Sequence, residues 1–269
     1  MKKVLVLTDL HLKARGGTII GLDPVTRFEE ALQAATSAHP DAAAVILTGD
    51  LTHSGRVEEY EVLRDVLRTC PSPVHLMLGN HDNRATFRSV FPKHPVTPDG
   101  HVQQVIDLGG HRLILLDTFD DAPDPPHAGR LCDRRLAWLK AALDGADGRQ
   151  PVVFAHHPPM TVGIAGMDPI RLTNGETLLS LLAPTSAHLV CGHLHRTVSG
   201  VARGVPFTIF KSTCHQGLLD LDDPDSTLSV AEPAAYGLLL LTPGQVIAHS
   251  EDIGLGIVGA SDQDALPEV

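Results

Sequence analysis

Five short apolar segments, each followed directly by polar residues suited to metal binding, constrain this chain more than any other feature. They span residues 4–8, 43–48, 74–78, 152–155 and 187–191. Their length and composition predict buried strands, and amphipathic stretches between the first three predict helices. Strands that alternate with helices indicate an α/β architecture. In a doubly wound sheet, the carboxyl ends of such strands line one crevice.

The pattern changes after residue 100, where hairpins replace strand–helix units. Gly109-Gly110 separates two apolar segments and is typical of a hairpin turn. Further antiparallel strands are predicted at residues 197–202, 206–212, 236–241 and 245–250. Long loops that could act as lids or contact surfaces are predicted at residues 83–100, 120–130, 160–172 and 215–234. We expect a catalytic domain over residues 1–215, a loop and strands completing it or forming a small cap over 216–251, and a flexible tail over 252–269.

The composition favours one large cytoplasmic domain. The 269 residues are 43% hydrophobic and 20% charged, which is typical of a globular protein. A net charge of −11 argues against binding to nucleic acid polymers or anionic membranes, since both need a basic surface. The four cysteines form no recognisable framework, and no apolar run reaches the ~18 residues of a membrane span. A signal peptide is not predicted, because Asp9 interrupts the first apolar stretch.

Each predicted strand ends in carboxylate, imidazole or amide side chains. Asp9 and His11 follow the first strand, and the period of two along a strand would point both side chains the same way. The other strand ends contribute Asp50, Asn80, His81, His156, His193 and His195. Oxygen and nitrogen donors without a thiolate suit Mn, Fe, Zn or Co. Because these residues exceed what one tetrahedral ion needs, we predict two divalent metal ions sharing a carboxylate.

These motifs resemble those of the calcineurin-like metallophosphoesterase superfamily. Within it, the chain is most similar to bacterial class III cyclic nucleotide phosphodiesterases and glycerophosphodiesterases. The resemblance spans residues 4–215 and is carried by Asp9-Leu-His11, Gly49-Asp50, Gly79-Asn80-His81-Asp82, His156 and Gly192-His193-Leu194-His195. The diesterase branch is supported by Lys13-Ala-Arg15-Gly16, Met167-Asp168-Pro169-Ile170 and Ser212-Thr-Cys-His215-Gln216. The implied fold is a four-layer α-β-β-α sandwich.

The resemblance also implies a role for each residue. One ion would be held by Asp9, His11 and His195, and the other by Asn80, His156 and His193. Asp50 would bridge the two ions. His81 would be catalytic and would contact the substrate together with Asn80 and His215. Related diesterases form dimers or larger assemblies, so a homo-oligomer is expected.

Two divalent cations about 3.5–4 Å apart lower the pKa of a shared water, so we expect hydroxide to attack phosphorus in line. His81 would protonate the departing oxygen or stabilise the charged phosphorane. Two cations, two carboxylates and one hydroxide leave about one positive charge, which matches a phosphodiester. We predict hydrolysis of small diesters, first 3′,5′-cyclic nucleotides such as cAMP, with glycerophosphodiesters as the close alternative. The remaining alternatives for the function are a phosphomonoesterase, a protein phosphatase, a nuclease and a non-catalytic scaffold.

Several of these residues have a second interpretation. Asp9 and Asp50 could cap helices, and Asn80 could be a left-handed turn residue. Asp82 could orient His81 or cap a helix over residues 84–91. His215 could equally lie on the surface.

Residues beside the motifs are interpreted more simply. His157 is expected to neighbour the site without binding metal. His53 and His127 are expected to be ordinary surface or half-buried residues. Arg84, like Lys13 and Arg15, lies close enough in sequence to supply positive charge to a substrate.

Overall fold

The computed structural model of the protein describes residues 1–224 and 228–256. Its strands are β1 (Lys2–Leu7), β2 (Ala44–Leu47), β3 (Val74–Leu76), β4 (Gln104–Leu108), β5 (His111–Leu116), β6 (Gln150–Ala155), β7 (His188–Cys191), β8 (Val198–Ala202), β9 (Val205–Ile209), β10 (Gln216–Gly217), β11 (Ser229–Val230), β12 (Ala235–Thr242) and β13 (Gln245–Asp252). Its helices are α1 (Pro24–Ala38), α2 (Val57–Leu67), α3 (Arg84–Val90), α4 (Asp133–Asp144), α5 (Gly175–Leu182) and a 3₁₀-helix, Asp168–Ile170.

The strands form two main mixed sheets. A five-stranded sheet has the order β13-β12-β1-β2-β3, and a six-stranded sheet has the order β4-β5-β6-β7-β9-β8. Within the first sheet β1, β2 and β3 are parallel, with Val6 opposite Ile46. Within the second sheet β5, β6, β7 and β9 are parallel, with Val153 opposite Leu189. β10 and β11 form a small separate ribbon.

Alternating side chains of the strands build four layers. Val4 and Val6 on β1 lie in the apolar core between the two sheets. Leu5 and Leu7 point the other way and pack with Phe28 of α1 and with residues of α2. The six-stranded sheet packs its outer face on α4 and α5 in the same manner. The predicted α-β-β-α sandwich is therefore confirmed, and strands buried on both faces explain the continuous apolar segments.

The first helix begins and packs as its sequence indicates. Asp23 is its N-cap and accepts hydrogen bonds from the backbone N–H groups of Val25 and Thr26, at 2.9 and 3.4 Å. Pro24 occupies the first helical position, where its missing N–H costs nothing. Buried residues at helical spacing, Phe28, Ala31, Leu32 and Ala35, face the sheet. The helix thus closes one outer face of the sandwich.

The five strand ends are divided between the two stacked sheets of the sandwich. β1, β2 and β3 lie in one sheet, whereas β6 and β7 lie in the other. The two sheets stack face to face, so the carboxyl ends of both sets of parallel strands reach the same edge of the sandwich. The predicted crevice therefore runs across two sheets.

Three predicted loops contain regular structure. Residues 83–100 include α3, residues 160–172 include the 3₁₀-helix, and residues 215–234 include β10 and β11. Asp252 pairs with Ala235 at the end of β13, so it belongs to a strand and not to the predicted tail. Residues 257–269 of that tail lie outside the described residues. β12 lies after residue 215 and pairs with β1 near the N-terminus. The division of the chain into domains at residue 215 stays a prediction.

Among residues 1–224 and 228–256, the helices lack the length and hydrophobicity that a membrane span requires. The longest, α1, has 15 residues, whereas a transmembrane helix needs about 20.

Candidate metal centre

The predicted metal ligands converge at the edge where the two sheets meet. They follow β1, β2, β3, β6 and β7, and all but Asn80 and His195 are buried. His156 from the second sheet lies close to Asp50 from the first, with Nε2 and Oδ2 separated by 3.4 Å. Stacking of the sheets, and not only their parallel strands, brings these side chains together.

Left-handed backbone places most of these side chains. Positive φ angles between 47° and 72° occur at Asp9, His11, Asp50, His193 and His195. Such angles are uncommon for residues other than glycine and concentrate at functional sites. The period-two argument for Asp9 and His11 is therefore wrong, because β1 ends at Leu7 and the next residues are no longer extended. Asn80 has no positive φ, so its alternative as a left-handed turn residue is also wrong.

One group of ligand atoms contains Asp9, His11, Asp50 and His195, all within 4.8 Å of one another. His11 Nε2 lies 3.0 Å from His195 Nε2 and 3.6 Å from Asp50 Oδ2. His195 Nε2 lies 3.5 Å from Asp9 Oδ1. The backbone N–H of His193 and the hydroxyl of Thr8 donate to the Asp9 carboxylate and fix its orientation.

A second group surrounds the other side of Asp50. His156 Nε2 lies 3.2 Å from Asn80 Oδ1 and 3.4 Å from Asp50 Oδ2. The ring of His193 lies 5.3 Å from that of His156. Asp50 Oδ1 accepts a hydrogen bond of 2.8 Å from the backbone N–H of His81. Neither Asp50 nor Asp9 caps a helix, so the capping alternative is wrong for both.

The proton positions on the histidines fit cation binding. Nδ1 of His195 lies 2.7 Å from the His215 carbonyl, and Nδ1 of His156 lies 3.1 Å from the Thr48 carbonyl. A carbonyl only accepts, so each Nδ1 carries a proton and each Nε2 is the nitrogen turned toward the carboxylates. An Nε2 lone pair facing a carboxylate oxygen is unfavourable unless a proton or a metal cation lies between them, so these nitrogens suit cation binding. Within residues 1–224 and 228–256, His193 Nε2 is buried without a hydrogen-bond partner, which again fits a ligand.

The buried charges of the cluster shift one another's pKa values. Burial lowers the pKa of His156, but Asp50 and Asp9 outweigh burial and raise it to about 9. Burial raises the pKa of Asp50, but His156 and His81 outweigh it and hold the pKa well below its usual value. Burial raises the pKa of Asp9 to about 6. Protons and metal ions compete for such ligands, so a divalent cation would replace the proton on His156.

His81 lies between two histidines that sequence reasoning missed. Its ring stacks on His53 at 5.5 Å and on His127 at 5.3 Å. Its Nδ1 lies 2.9 Å from the His53 carbonyl, and Asn80 Nδ2 lies 3.2 Å from His127 Nδ1. The position of His53 close behind Asp50 could have indicated its place. Nothing local to His127 indicates it, because that residue lies in a loop between β5 and α4.

Asp82 neither orients the His81 side chain nor caps the helix after it. Its buried carboxylate accepts hydrogen bonds from the backbone N–H groups of Leu51, Thr52 and Gly79 and from the Tyr60 hydroxyl. Burial and the nearby Asp50 raise its pKa to about 6. The cap of α3 is Asn83. Asp82 therefore ties the loop after β2 to the loop after β3, which carries Asn80 and His81.

His157 and His215 occupy different places around the ligands. His157 is fully buried, with Nδ1 2.7 Å from Thr118 Oγ1 and Nε2 3.2 Å from the His127 carbonyl. Both of its nitrogens have protein partners, which fits the prediction that it neighbours the site, although its ligand atom lies within 4.8 Å of those of His156 and His193. The ring of His215 lies 4.5 Å from that of His195 and lines the cavity, so the surface alternative is wrong.

A cavity of about 300 Å³ opens above the ligands. Its described lining contains no lysine or arginine; its histidines are His11, His53, His81, His127, His193, His195 and His215. Arg84 instead binds Asp117 and Asp121, with Nε–Oδ2 and Nη1–Oδ2 distances of 2.9 and 2.7 Å. Arg84 is therefore paired with carboxylates and is not part of the cavity lining, although it is close to the motifs in sequence. A larger groove of about 610 Å³ beside α1 and α2 contains none of the predicted ligands.

Known proteins share both the sequence pattern and the fold. A model of the calcineurin-like phosphoesterase family matches residues 2–197. A probable cyclic nucleotide phosphodiesterase of Rhodopseudomonas palustris is 40% identical over 250 residues, which cover 92% of this chain and 91% of that protein. A glycerophosphodiester phosphodiesterase of Enterobacter lignolyticus is 33% identical over 218 residues, covering 78% and 77%. A dimetal phosphatase from Danio rerio has a TM-score of 0.70 at 15% identity, covering 93% of this chain and 96% of that one.

This chain belongs to the calcineurin-like phosphoesterase family. The predicted membership in this family and the predicted enzyme class, a metal-dependent phosphoesterase, are confirmed. The zebrafish structure supports the fold alone, because its sequence identity is low.

Proposed function

We propose that this protein hydrolyses small phosphodiesters at a binuclear metal centre, with 3′,5′-cyclic nucleotides such as cAMP as the preferred substrates. The observation that carries the proposal is the arrangement of ligand atoms around Asp50. Its Oδ2 lies 3.6 Å from His11 Nε2 and 3.4 Å from His156 Nε2. One carboxylate between two sets of nitrogen ligands suits a bridge between two cations.

Each set of ligands would hold one ion. Asp9, His11 and His195 form one set, and Asn80, His156 and His193 form the other. When bound, divalent cations lower the pKa of water and offset negative charge on the phosphoryl group. Mn, Fe, Zn and Co all suit oxygen and imidazole ligands. The chain's own part is to fix the Asp9 and Asp50 carboxylates with hydrogen bonds from Thr8, His81 and His193.

His81 is the proposed proton donor to the departing oxygen. Its Nδ1 hydrogen is bound by the His53 carbonyl, so its Nε2 is the nitrogen available for the substrate. A protonated His81 would donate from Nε2 to the oxygen as negative charge develops there. Stacking on His53 and His127 fixes the ring plane, which keeps the donor aimed. Asn80 and His215 would contact the substrate beside it.

The charge of the cavity favours a diester over a monoester. A monoester carries up to two negative charges near neutral pH, and its second charge would benefit from an arginine. The described lining contains no arginine or lysine, and Arg84 is occupied by Asp117. Two divalent cations beside two carboxylates and one hydroxide leave about one positive charge. That balance matches a diester.

The names of the relatives support two substrate classes. The relative at 40% identity is named a probable cyclic nucleotide phosphodiesterase. The relative at 33% identity is named a glycerophosphodiester phosphodiesterase, which makes glycerophosphodiesters the second candidate. The expected homo-oligomer and the expected cytoplasmic location stay predictions.

Metal analysis combined with a substrate panel tests the proposal. The protein is loaded separately with Mn, Fe, Zn or Co, and bound metal is measured by inductively coupled plasma mass spectrometry. Rates are then compared for cAMP, cGMP, 2′,3′-cyclic nucleotides, glycerophosphoethanolamine and the mono- and diesters of p-nitrophenol. We expect two ions per chain and faster hydrolysis of diesters. Absence of stoichiometric metal together with no diester hydrolysis refutes the proposal.

Three variants separate metal binding from catalysis. Asp50→Ala should lose both ions and all activity, because the bridge serves both. His81→Ala should lower kcat while metal content stays at the wild-type level. His249→Ala, on the exposed face of β13, is the matched control and should change neither quantity. Wild-type turnover in Asp50→Ala contradicts the proposed bridge.

A further inference from the structure

The lining of the cavity above the metal ligands combines two chemically different sets of side chains. Imidazoles and the Asp50 carboxylate form part of the lining, and Ile19, Met167, Ile170 and Leu194 contribute apolar side chains to it. Leu194 is 3% exposed and lies between two ligands, so it belongs to the floor of the cavity. The other three come from two loops that follow β1 and β6. We call Ile19, Met167 and Ile170 the apolar wall.

A strained turn positions the first residue of the wall. Ile19 and Leu22 exchange two backbone hydrogen bonds, of 2.9 and 2.8 Å, around a two-residue turn. The turn residues Ile20 and Gly21 have φ angles of 46° and 82°. A β-branched residue rarely adopts a positive φ, and the side chain of Ile20 is 52% exposed. Burial of Ile20 therefore does not explain its strained backbone. The same turn places Ile19 at the cavity, which is the feature that the strain would accompany.

Hydrogen bonds within the second loop hold the other two residues. The Asp168 carboxylate accepts from the backbone N–H groups of Val162 and Gly163, at 2.7 and 3.1 Å. The backbone N–H of Ile170 donates to the Met167 carbonyl at 3.1 Å, and the Arg171 guanidinium donates to the Asp168 carbonyl. These bonds fix the 3₁₀-helix, so Met167 and Ile170 form a preorganised surface beside the metal ligands.

An apolar wall discriminates between substrates because it provides no hydrogen-bond donor or acceptor. A hydroxyl placed against it loses water and gains no hydrogen bond, which is unfavourable. A flat ring buries its face there while its polar edge stays accessible. We propose that the apolar wall selects phosphodiesters carrying a flat, weakly polar ring, such as a nucleobase, over those carrying only a glycerol-like group. This inference rests on the proposed phosphodiesterase function and names the part of the substrate that the chain recognises.

Two synthetic diesters isolate the effect of the wall. Bis(p-nitrophenyl) phosphate and methyl p-nitrophenyl phosphate release the same leaving group and differ only in the ester group that remains. The measured quantity is the ratio of kcat/KM for the aryl diester to that for the methyl diester. Dividing the ratio of each variant by the wild-type ratio cancels the intrinsic difference in reactivity.

Wall variants should lose the preference for the ring without losing catalysis. Ile19→Ala and Ile170→Ala are each expected to lower the ratio about fivefold through a higher KM for the aryl diester, equivalent to about 1 kcal/mol. Ile170→Leu keeps an apolar side chain and should retain the ratio. Ile247→Ala removes the same side chain from β13, where it is 41% exposed, and should change neither rate. Thermal melting verifies that each variant is folded.

Binding of phosphonates gives a readout without turnover. Phenylphosphonate and methylphosphonate share the phosphoryl group, and calorimetry measures their dissociation constants on the metal-loaded proteins. Ile19→Ala and Ile170→Ala should weaken phenylphosphonate about fivefold and leave methylphosphonate unchanged. The inference is overturned if a wall variant changes the dissociation constants of both phosphonates, or kcat/KM for both diesters, by the same factor. It is also overturned if neither compound of a pair is affected. If the wild-type protein hydrolyses neither diester, the proposed function is refuted. Binding of the two phosphonates still tests whether the apolar wall prefers a ring.

Discussion

Replacing Gly79 with alanine tests whether Asp50 and His156 must approach as closely as the structure shows. A Cβ on Gly79 would lie 2.3 Å from Asp50 Oδ1, 2.5 Å from the Asp50 backbone nitrogen and 2.6 Å from His156 Nε2. Ordinary contacts of a Cβ are 3.4–4 Å. Gly79 has no positive φ, so backbone strain does not contribute to the effect. The added methyl group must therefore displace the two side chains.

The displacement required is about 1 Å, whereas metal–ligand distances tolerate only about 0.2 Å. Disturbing the groups that orient ligands typically lowers metal affinity about 10- to 100-fold, and direct displacement should reach the upper end. Overpacking costs about 1–3 kcal/mol. At about 2–4 °C per kcal/mol for a domain of this size, the melting temperature should fall by several degrees.

Three assays measure these effects: metal content after dialysis, the melting temperature, and the rate of bis(p-nitrophenyl) phosphate hydrolysis. Gly110→Ala is the matched control, because nothing lies within 4 Å of its added Cβ in the β4–β5 turn. We expect Gly79→Ala to lose at least one ion and most of its activity. If Gly79→Ala keeps two ions and the turnover of Gly110→Ala, the proposed geometry of the centre is wrong.

Three further predictions concern stability. The pKa of His156 is raised from 6.5 to about 9, so its contribution is complete below pH 6.5 and is lost as the pH rises through 9. Urea unfolding of chelator-treated protein should show a loss of up to about 3 kcal/mol over this window, and constant stability would contradict it. Tyr60→Phe should cost about 1–3 kcal/mol by denaturant unfolding, because the hydroxyl bonds both Asp82 and the backbone N–H of Asn83. Ile20→Asn should raise the melting temperature by about 2–4 °C by relieving the positive φ, and a lower melting temperature would refute the assigned strain.

The candidate ligands could be predicted because two local features coincide at each. A short apolar segment marks a buried strand, and the polar residue after it marks the strand's end. Asp50 and His156 were found in this way although 106 positions separate them in the chain. His127 could not be found, because it reaches His81 only through the path of a long loop. Asp82 was misinterpreted because its partners, Leu51 and Tyr60, belong to other elements.

The sequence by itself determined which residue types stand at the ends of which strands, because strand periodicity and side-chain chemistry are properties of neighbouring residues. Only the tertiary structure decided that β1 and β6 lie in different sheets, since strand pairing joins segments far apart, such as β1 with β12. It also decided the left-handed backbone at Asp9 and His11. Aspartate and histidine tolerate this backbone better than most residues but do not require it, so the contacts around the strand ends, and not the local sequence, determine the angles.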